Sequence, residues 1–342
     1  MIGAGGIGWG RFFALSGNRT LTREESRMGR FLDRRDYCKL HIISHYVKVL
    51  SGADFRVVPI GAVGNDEAGS RLVDEMRLAG LDVRHVTVNA ALPTLHCICL
   101  LYPDGSGGNL TVEDSACSAV DAAAIRAAEP DFAAAGGRGI ALAAPEAPLE
   151  ARRELLELAS RHRFFRAASF VAGEIHQALR SGILAQVDLL ALNSGEAAAM
   201  CADWSGVAGD KDAAEGALEL TAAAAALELR RHNPGAILSM TAGKAGSWVC
   251  DGDAMHHRDA LPVEVIGAAG AGDAFLAGML TGLAAGMSPA QAHQLAALTA
   301  AGSVTSPHTI HEGIRRDMLA RLAHKVGVRL EPAVTEFLEA PP

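Results

Sequence analysis

Short apolar runs alternate with amphipathic stretches along most of this 342-residue chain, and that rhythm restricts its fold more than any other feature. Runs at 55–62, 139–143, 164–171, 187–192 and 236–241 are bounded by turn residues and are short enough for strands buried on both faces. Between them, 65–79, 149–161 and 213–231 carry the helical period. In the first of these Leu72, Met76 and Ala79 share a face, and Gly80 stands where a helix C-terminal glycine belongs. Strand–helix alternation of this kind predicts an α/β fold with a parallel sheet covered by helices on both faces. No apolar run approaches the roughly 18 residues of a membrane span, and no signal-peptide pattern opens the chain, so a cytoplasmic location without membrane contact is expected. The six cysteines form neither a Cys-x-x-Cys pair nor a zinc spacing, and reduced, buried thiols are expected.

Two stretches leave the rhythm. Residues 11–36 are polar, Arg-rich and without period, whereas 94–112 reads as two strands around the turn Pro103-Asp104-Gly105. Both are expected to leave the main layer as a flap. The charge follows the same division. Residues 1–48 hold nine basic and four acidic residues, a net +5, so that the rest must sum to −13 to give the total of −8. An acidic chain does not coat nucleic acid, but a basic arm can face a small anion.

Gly3, Gly5 and Gly8 satisfy the Gly-x-Gly-x-x-Gly fingerprint of dinucleotide sites. That motif needs a strand before it and a helix after it; only Met1 and Ile2 precede, and no helical pattern follows. The expectation is a tight turn after an abbreviated first strand. The most informative stretch is 267–275, Gly-Ala-Ala-Gly-Ala-Gly-Asp-Ala-Phe. Its glycines allow a sharp turn that points several amides one way, and Ala274, Gly278 and Gly282 open a helix with one small face. Amides at a helix N-terminus suit a phosphate, and Asp273 at that mouth could take a proton from an attacking hydroxyl. An N-capping Asp after a glycine turn explains the same residues.

This stretch resembles the C-terminal signature of the ribokinase-like (PfkB) carbohydrate kinase family, which ends in Gly-Ala-Gly-Asp. Further segments are similar in the same order: 60–69 (Ile-Gly-Ala-Val-Gly-Asn-Asp-Glu-Ala-Gly), 80–83, Pro93-Thr94, Asn193-Ser194-Gly195-Glu196, 241–246 (Thr-Ala-Gly-Lys-Ala-Gly) and 299–308. The likeness spans about residues 52–325. It implies one α/β kinase domain over 1–342, with a mostly parallel central sheet between helices and a small β lid from about 11–36 and 94–112. It implies transfer of the γ-phosphoryl group of ATP to a hydroxyl of a sugar-like molecule, with Mg²⁺. Alternatives are a nucleoside kinase or a non-catalytic sugar- or nucleotide-binding member of the fold. By the same resemblance, Asp273 would be the base, and Gly270, Ala271 and Gly272 the amides that stabilise the moving phosphoryl group. Glu196 would hold the metal through water and Asn193 would sit near the phosphates. Thr241, Gly243 and Gly246 would lie along the nucleotide, with Ser303 and His308 in the segment that closes over adenine. Dimerisation through the lid is common in the family. The pair Asn193 and Glu196 is also a capping box in form.

The chain departs from the family where the acceptor binds. The usual Asp after the first strand would fall near Gly10, and the Gly-Gly and Asn that open the first core helix are replaced by 36–46, Asp-Tyr-Cys-Lys-Leu-His-Ile-Ile-Ser-His-Tyr. His41 and His45, four apart on one helix face, are candidates to touch the acceptor or to pack. Arg27, Arg30, Arg34, Arg35 and Lys39 could meet an acceptor that already carries a phosphate or carboxylate. The Asp-Thr that usually leads into Gly-Ala-Gly-Asp is Gly267-Ala268, which removes the basis for expecting a monovalent-cation site.

Overall fold

A computed structural model describes residues 1–201 and 215–340. In chain order its strands are β1 (Ile2–Ala4), β2 (Gly8–Leu15), β3 (Gly29–Tyr37), β4 (Val58–Gly64), β5 (Val86–Asn89), β6 (Leu95–Leu101), β7 (Gly107–Thr111), β8 (Ile140–Ala143), β9 (Phe165–Ser169), β10 (Leu189–Asn193), β11 (Ile237–Thr241), β12 (Ser247–Asp251) and β13 (Ala254–Arg258). Nine of them form one sheet in the order β13-β12-β11-β10-β9-β8-β1-β4-β5. The strands from β5 across to β11 run parallel, and β12 and β13 are added antiparallel at one edge. This is the ribokinase-like α/β fold, a mostly parallel sheet between helices with a small β lid.

Period-two burial splits the sheet between two cores. Ala141 and Ala143 of β8 join the core beneath the helices Leu149–Arg161 and Glu215–His232. Ile140 and Leu142 join the one beneath α1 (Lys39–Ser51), α2 (Glu67–Leu78) and the helices Ala271–Ala284 and Pro289–Ser303. Both faces being covered at β4 and β8 to β11, these strands carry no polar side, which is why their runs read as continuous apolar segments. The helix expected over 149–161 has those bounds, and α2 ends one residue before Ala79, with Gly80 at φ +81° just beyond it. Residues 213 and 214 of the expected 213–231 helix lie outside the described residues; the described part runs Glu215–His232.

The three-residue β1 lies between β4 and β8 and is followed directly by β2, without a helix. Gly3 and Gly5 are there for close packing: a Cβ on Gly3 would press on Leu40 of α1, and one on Gly5 on Ala144.

The lid is a second sheet of order β3-β2-β6-β7, in which β2 pairs antiparallel with β3 and parallel with β6. Residues 11–36, without period as a sequence, supply most of two of its strands. Their period is broken by the register shift between Arg11 and Phe13 and by the first residues of β3, which are exposed on both faces. Arg11 lies 3.8 Å over the Phe31 ring, and Phe13 meets Phe31 edge-on across the strand pair. The lid is tied to the main layer at Asp66, the N-cap of α2. One carboxylate oxygen accepts from the Gly69 N–H and the Thr94 hydroxyl, and the other from the Thr94 N–H, just before β6.

Candidate active site

A cavity of about 640 Å³ opens at the carboxyl ends of the central strands. Asn193 ends β10, Thr241 ends β11, and the helix Ala271–Ala284 begins above them; residues from all three line it. This is the edge at which open parallel sheets leave a crevice, because strand ends and helix N-termini point there together.

From the Gly267–Asp273 turn, Ala268, Ala271, Gly272 and Asp273 line the cavity, whereas Gly270 does not. Gly270 is the N-cap of the helix at φ +79°, a conformation that suits glycine, and a Cβ there would sit 2.9 Å from the Thr309 carbonyl. Ala271 and Gly272 follow as the first two helical residues and line the cavity with Asp273. A Cβ at Gly272 would lie 3.6 Å from Thr241 Oγ1, so the end of β11 and the start of this helix converge. Asp273 is half-buried, and its carboxyl is pushed up to about 7. Loss of water is the largest cause, opposed by the Lys39 charge and reinforced by Glu146, Glu196 and Asp36.

Lys39 enters from the first turn of α1, with Nζ 3.5 Å from Glu196 Oε1. Burial opposes its charge, but Asp273, Glu196 and Glu146 outweigh it and raise its pKa above the ordinary lysine value. Glu196 does two things. Its Oε2 accepts the Asn193 N–H at 2.8 Å while Asn193 Oδ1 accepts the Glu196 N–H at 2.9 Å, the full capping box. Its Oε1 faces the cavity and Lys39.

The remaining residues divide. Gly243 and Gly246 line the cavity beside Thr241. Ser303 does not; its hydroxyl turns back to the Ala300 carbonyl, while its neighbours Ala300, Ala301 and Val304 form the wall. His308 is not brought to the cavity either. Its Nδ1 accepts the Arg35 N–H at 3.0 Å, and with the Thr309 N–H donated to the Arg35 carbonyl it ties the 304–311 loop to β3. His41 and His45 lie off the cavity, against Tyr37 and Tyr46, and burial holds them neutral, down to about 3 and about 4. Gly10 lies in the lid beneath Asp36 and Cys97. Arg34 and Arg35 line a second hollow of about 450 Å³, with Arg11 and Arg71 and with the acidic Asp33, Asp36 and Glu75. Arg35 also pairs with Glu312 at 3.7 Å, both exposed, and Arg34 has no ion-pair partner among the described residues.

Three features escaped the sequence reading. Glu146 follows β8 at φ +70°, with Oε2 buried and unpartnered among the described residues, and burial raises its pKa. Leu261, Val263 and Val265 form an apolar wall; their alternation was the available signal. The third is Asp36, buried at the end of β3, whose partners come from β6.

The model of the pfkB family of carbohydrate kinases matches residues 44–315, most of the chain. The chain belongs to this family. Among solved structures, this pfkB-family chain is similar to a ribokinase from Cryptococcus neoformans var. grubii serotype A in complex with ADP (TM-score 0.75, 17% identity, 94% of this chain and 98% of that one). It is also similar to a Burkholderia thailandensis nucleoside kinase in complex with inosine (TM-score 0.70, 18% identity, 96% and 98%) and to a Thermotoga maritima ribokinase (TM-score 0.66, 19% identity, 99% of each). At these identities the likeness is one of fold. No curated protein matches the chain significantly. Among the described residues, no helix is long and apolar enough to cross a membrane.

Proposed function

We propose that this pfkB-family chain transfers the γ-phosphoryl group of ATP to a hydroxyl of a sugar-like acceptor. The observation that carries the reading is Asp273: a carboxyl raised to about 7, in the first turn of a helix whose Ala271 and Gly272 line the same cavity as Asn193 and Thr241. A base of that strength shares its proton at neutral pH, which suits proton transfer from an alcohol. The acceptor hydroxyl gives its proton to Asp273, its oxygen bonds to the γ-phosphorus, the bond to the β-phosphate oxygen breaks, and ADP leaves. Charge on the moving phosphoryl group falls to the helix amides and to Lys39, which are in place before the reaction. Thr241, Gly243 and Gly246 would lie along the nucleotide.

The residues fit Mg²⁺ as well. Glu196 keeps one carboxylate oxygen directed at the cavity while the other is held in the capping box, and magnesium asks for few carboxylates and several waters. The ion would neutralise phosphate charge when bound. Arg34, with no ion-pair partner among the described residues, lines the second hollow and not this cavity, so it would meet an anionic group only on an acceptor long enough to reach that hollow.

The test is ATP consumption over a panel of sugars, sugar phosphates and nucleosides. The reading requires turnover that Asp273→Asn removes while nucleotide binding persists. Turnover confined to nucleosides would replace the sugar acceptor, and binding without turnover would leave a binding protein.

A further inference from the structure

The inner row of the lid carries a group of side chains that the proposed phosphoryl transfer does not use. Asp36, Gly10 and Cys97 stand side by side on β3, β2 and β6, in register. Side chains two strands apart start nearly 10 Å from each other. Here they meet: Cys97 Sγ is 3.2 Å from Asp36 Oδ2, and Cys99 Sγ is 2.9 Å from the same oxygen. The contact exists because the residue between them is glycine. A Cβ on Gly10 would collide with Asp36 Oδ2 and lie 2.5 Å from Cys97 Sγ. All three side chains are buried, and the two sulfurs are 3.9 Å apart.

We propose that Asp36, Cys97 and Cys99 form a binding site for zinc. Two sulfurs on one tetrahedral zinc, each at about 2.3 Å, stand about 3.8 Å apart, close to the separation seen. The oxygen–sulfur distances are those of thiol hydrogen bonds and need to open by only a few tenths of an ångström. Two thiolates make the donor set soft, so it prefers zinc to the magnesium that accompanies a nucleotide. Loading releases the thiol protons of Cys97 and Cys99 to solvent, and the ion then sits between two thiolates and a carboxylate, with a fourth position for water. Three protein ligands and one open position mark zinc sites that exchange a ligand. Among the described residues this is the one group of three or more His, Cys, Asp or Glu side chains close enough to share an ion. Bound zinc would join β3 to β6 across β2 and brace the lid, whatever the acceptor proves to be.

Cobalt(II) is the probe, titrated into the reduced full-length protein without nucleotide. One equivalent should produce a thiolate-to-cobalt charge-transfer band with the strong visible bands of tetrahedral cobalt, and zinc should bleach both. Cys97→Ser and Cys99→Ser should lose the charge-transfer intensity. Gly10→Ala should lose it too, although every donor remains, while Cys250→Ser on the main sheet should keep it. Zinc should raise the Tm of the wild type and leave that of Cys99→Ser unchanged. The near-isosteric Cys99→Ser decides the matter if Gly10→Ala does not fold. Absence of the band at one equivalent, or its persistence in both serine variants, overturns the site; neither readout depends on kinase turnover.

Discussion

The two ends of the molecule bring side chains together in different ways. At the main sheet, residues of the cavity come from short contiguous words: 193–196 at one strand end, 241–246 at the next, 271–273 at a helix start. Each word folds locally, because a capping box or a glycine turn sets its own geometry within a few residues. In the lid, Asp36, Gly10 and Cys97 come from three strands and meet only through register. Chemistry that rests on local turns survives in the sequence as motif, whereas chemistry that rests on strand pairing does not.

Removing the proposed base should have the largest effect. Asp273→Asn is expected to lower kcat by about 10²–10⁴-fold with nucleotide affinity retained, measured by coupled ATPase assay and calorimetry. A fall of less than tenfold would detach the main-sheet end from the reaction. Lys39→Met should follow at about 10²-fold in kcat, since it removes one preset positive charge from the moving phosphoryl group. Lys39 stands where α1 begins, at the junction of the two regions, so its effect measures how far they work together.

The pH profile sharpens the assignment. Only unprotonated Asp273 accepts a proton, so kcat/KM should rise about tenfold per pH unit and level off above about 7. Stability runs the other way. The folded pKa stands above the ordinary carboxylate value, so the folded state binds more protons between about 4 and 7 and loses stability as pH rises through that window. Asp273→Asn should lack this slope and melt higher than the wild type at pH 8. A steeper profile in the variant would place the titrating group elsewhere.

On the lid side, Arg34→Ala should raise KM for an anionic acceptor about tenfold and leave kcat alone, as loss of one charge-assisted hydrogen bond would. An unchanged KM for every anionic acceptor turned over would return Arg34 to the solvent-facing surface. The smallest effect lies at the joint. Asp66→Ala removes the cap of α2 and both bonds to Thr94, at a cost of about 1–2 kcal/mol in urea unfolding with little change in KM. A large KM change there would show that the joint holds the lid in its working position.

The cavity was legible in proportion to its locality. That Asp273, Glu196 and Thr241 share one cavity was readable because their neighbours in sequence are their neighbours in space. Ser303 and His308 lie in a segment of which Ala300, Ala301 and Val304 line the cavity, yet the serine hydroxyl turns into its own helix and the histidine ring docks on β3. No local pattern carries that difference. His41 and His45 share a helix face as their spacing predicts, but which face meets the protein interior depends on Tyr37 and Tyr46. The cysteines show the same limit: without a Cys-x-x-Cys pair nothing near Cys97 and Cys99 in sequence suggests a third ligand, since Asp36 arrives from another strand.

By itself the sequence determined the layered α/β arrangement, the family and the glycine turns that border the cavity, because apolar period and glycine turns act over a few residues. Only the tertiary structure decided that 11–36 is sheet, that Lys39 reaches Glu196, and that Gly10 leaves room for Asp36 to meet Cys97. Those contacts depend on which strands pair and in what register, and long-range packing sets both.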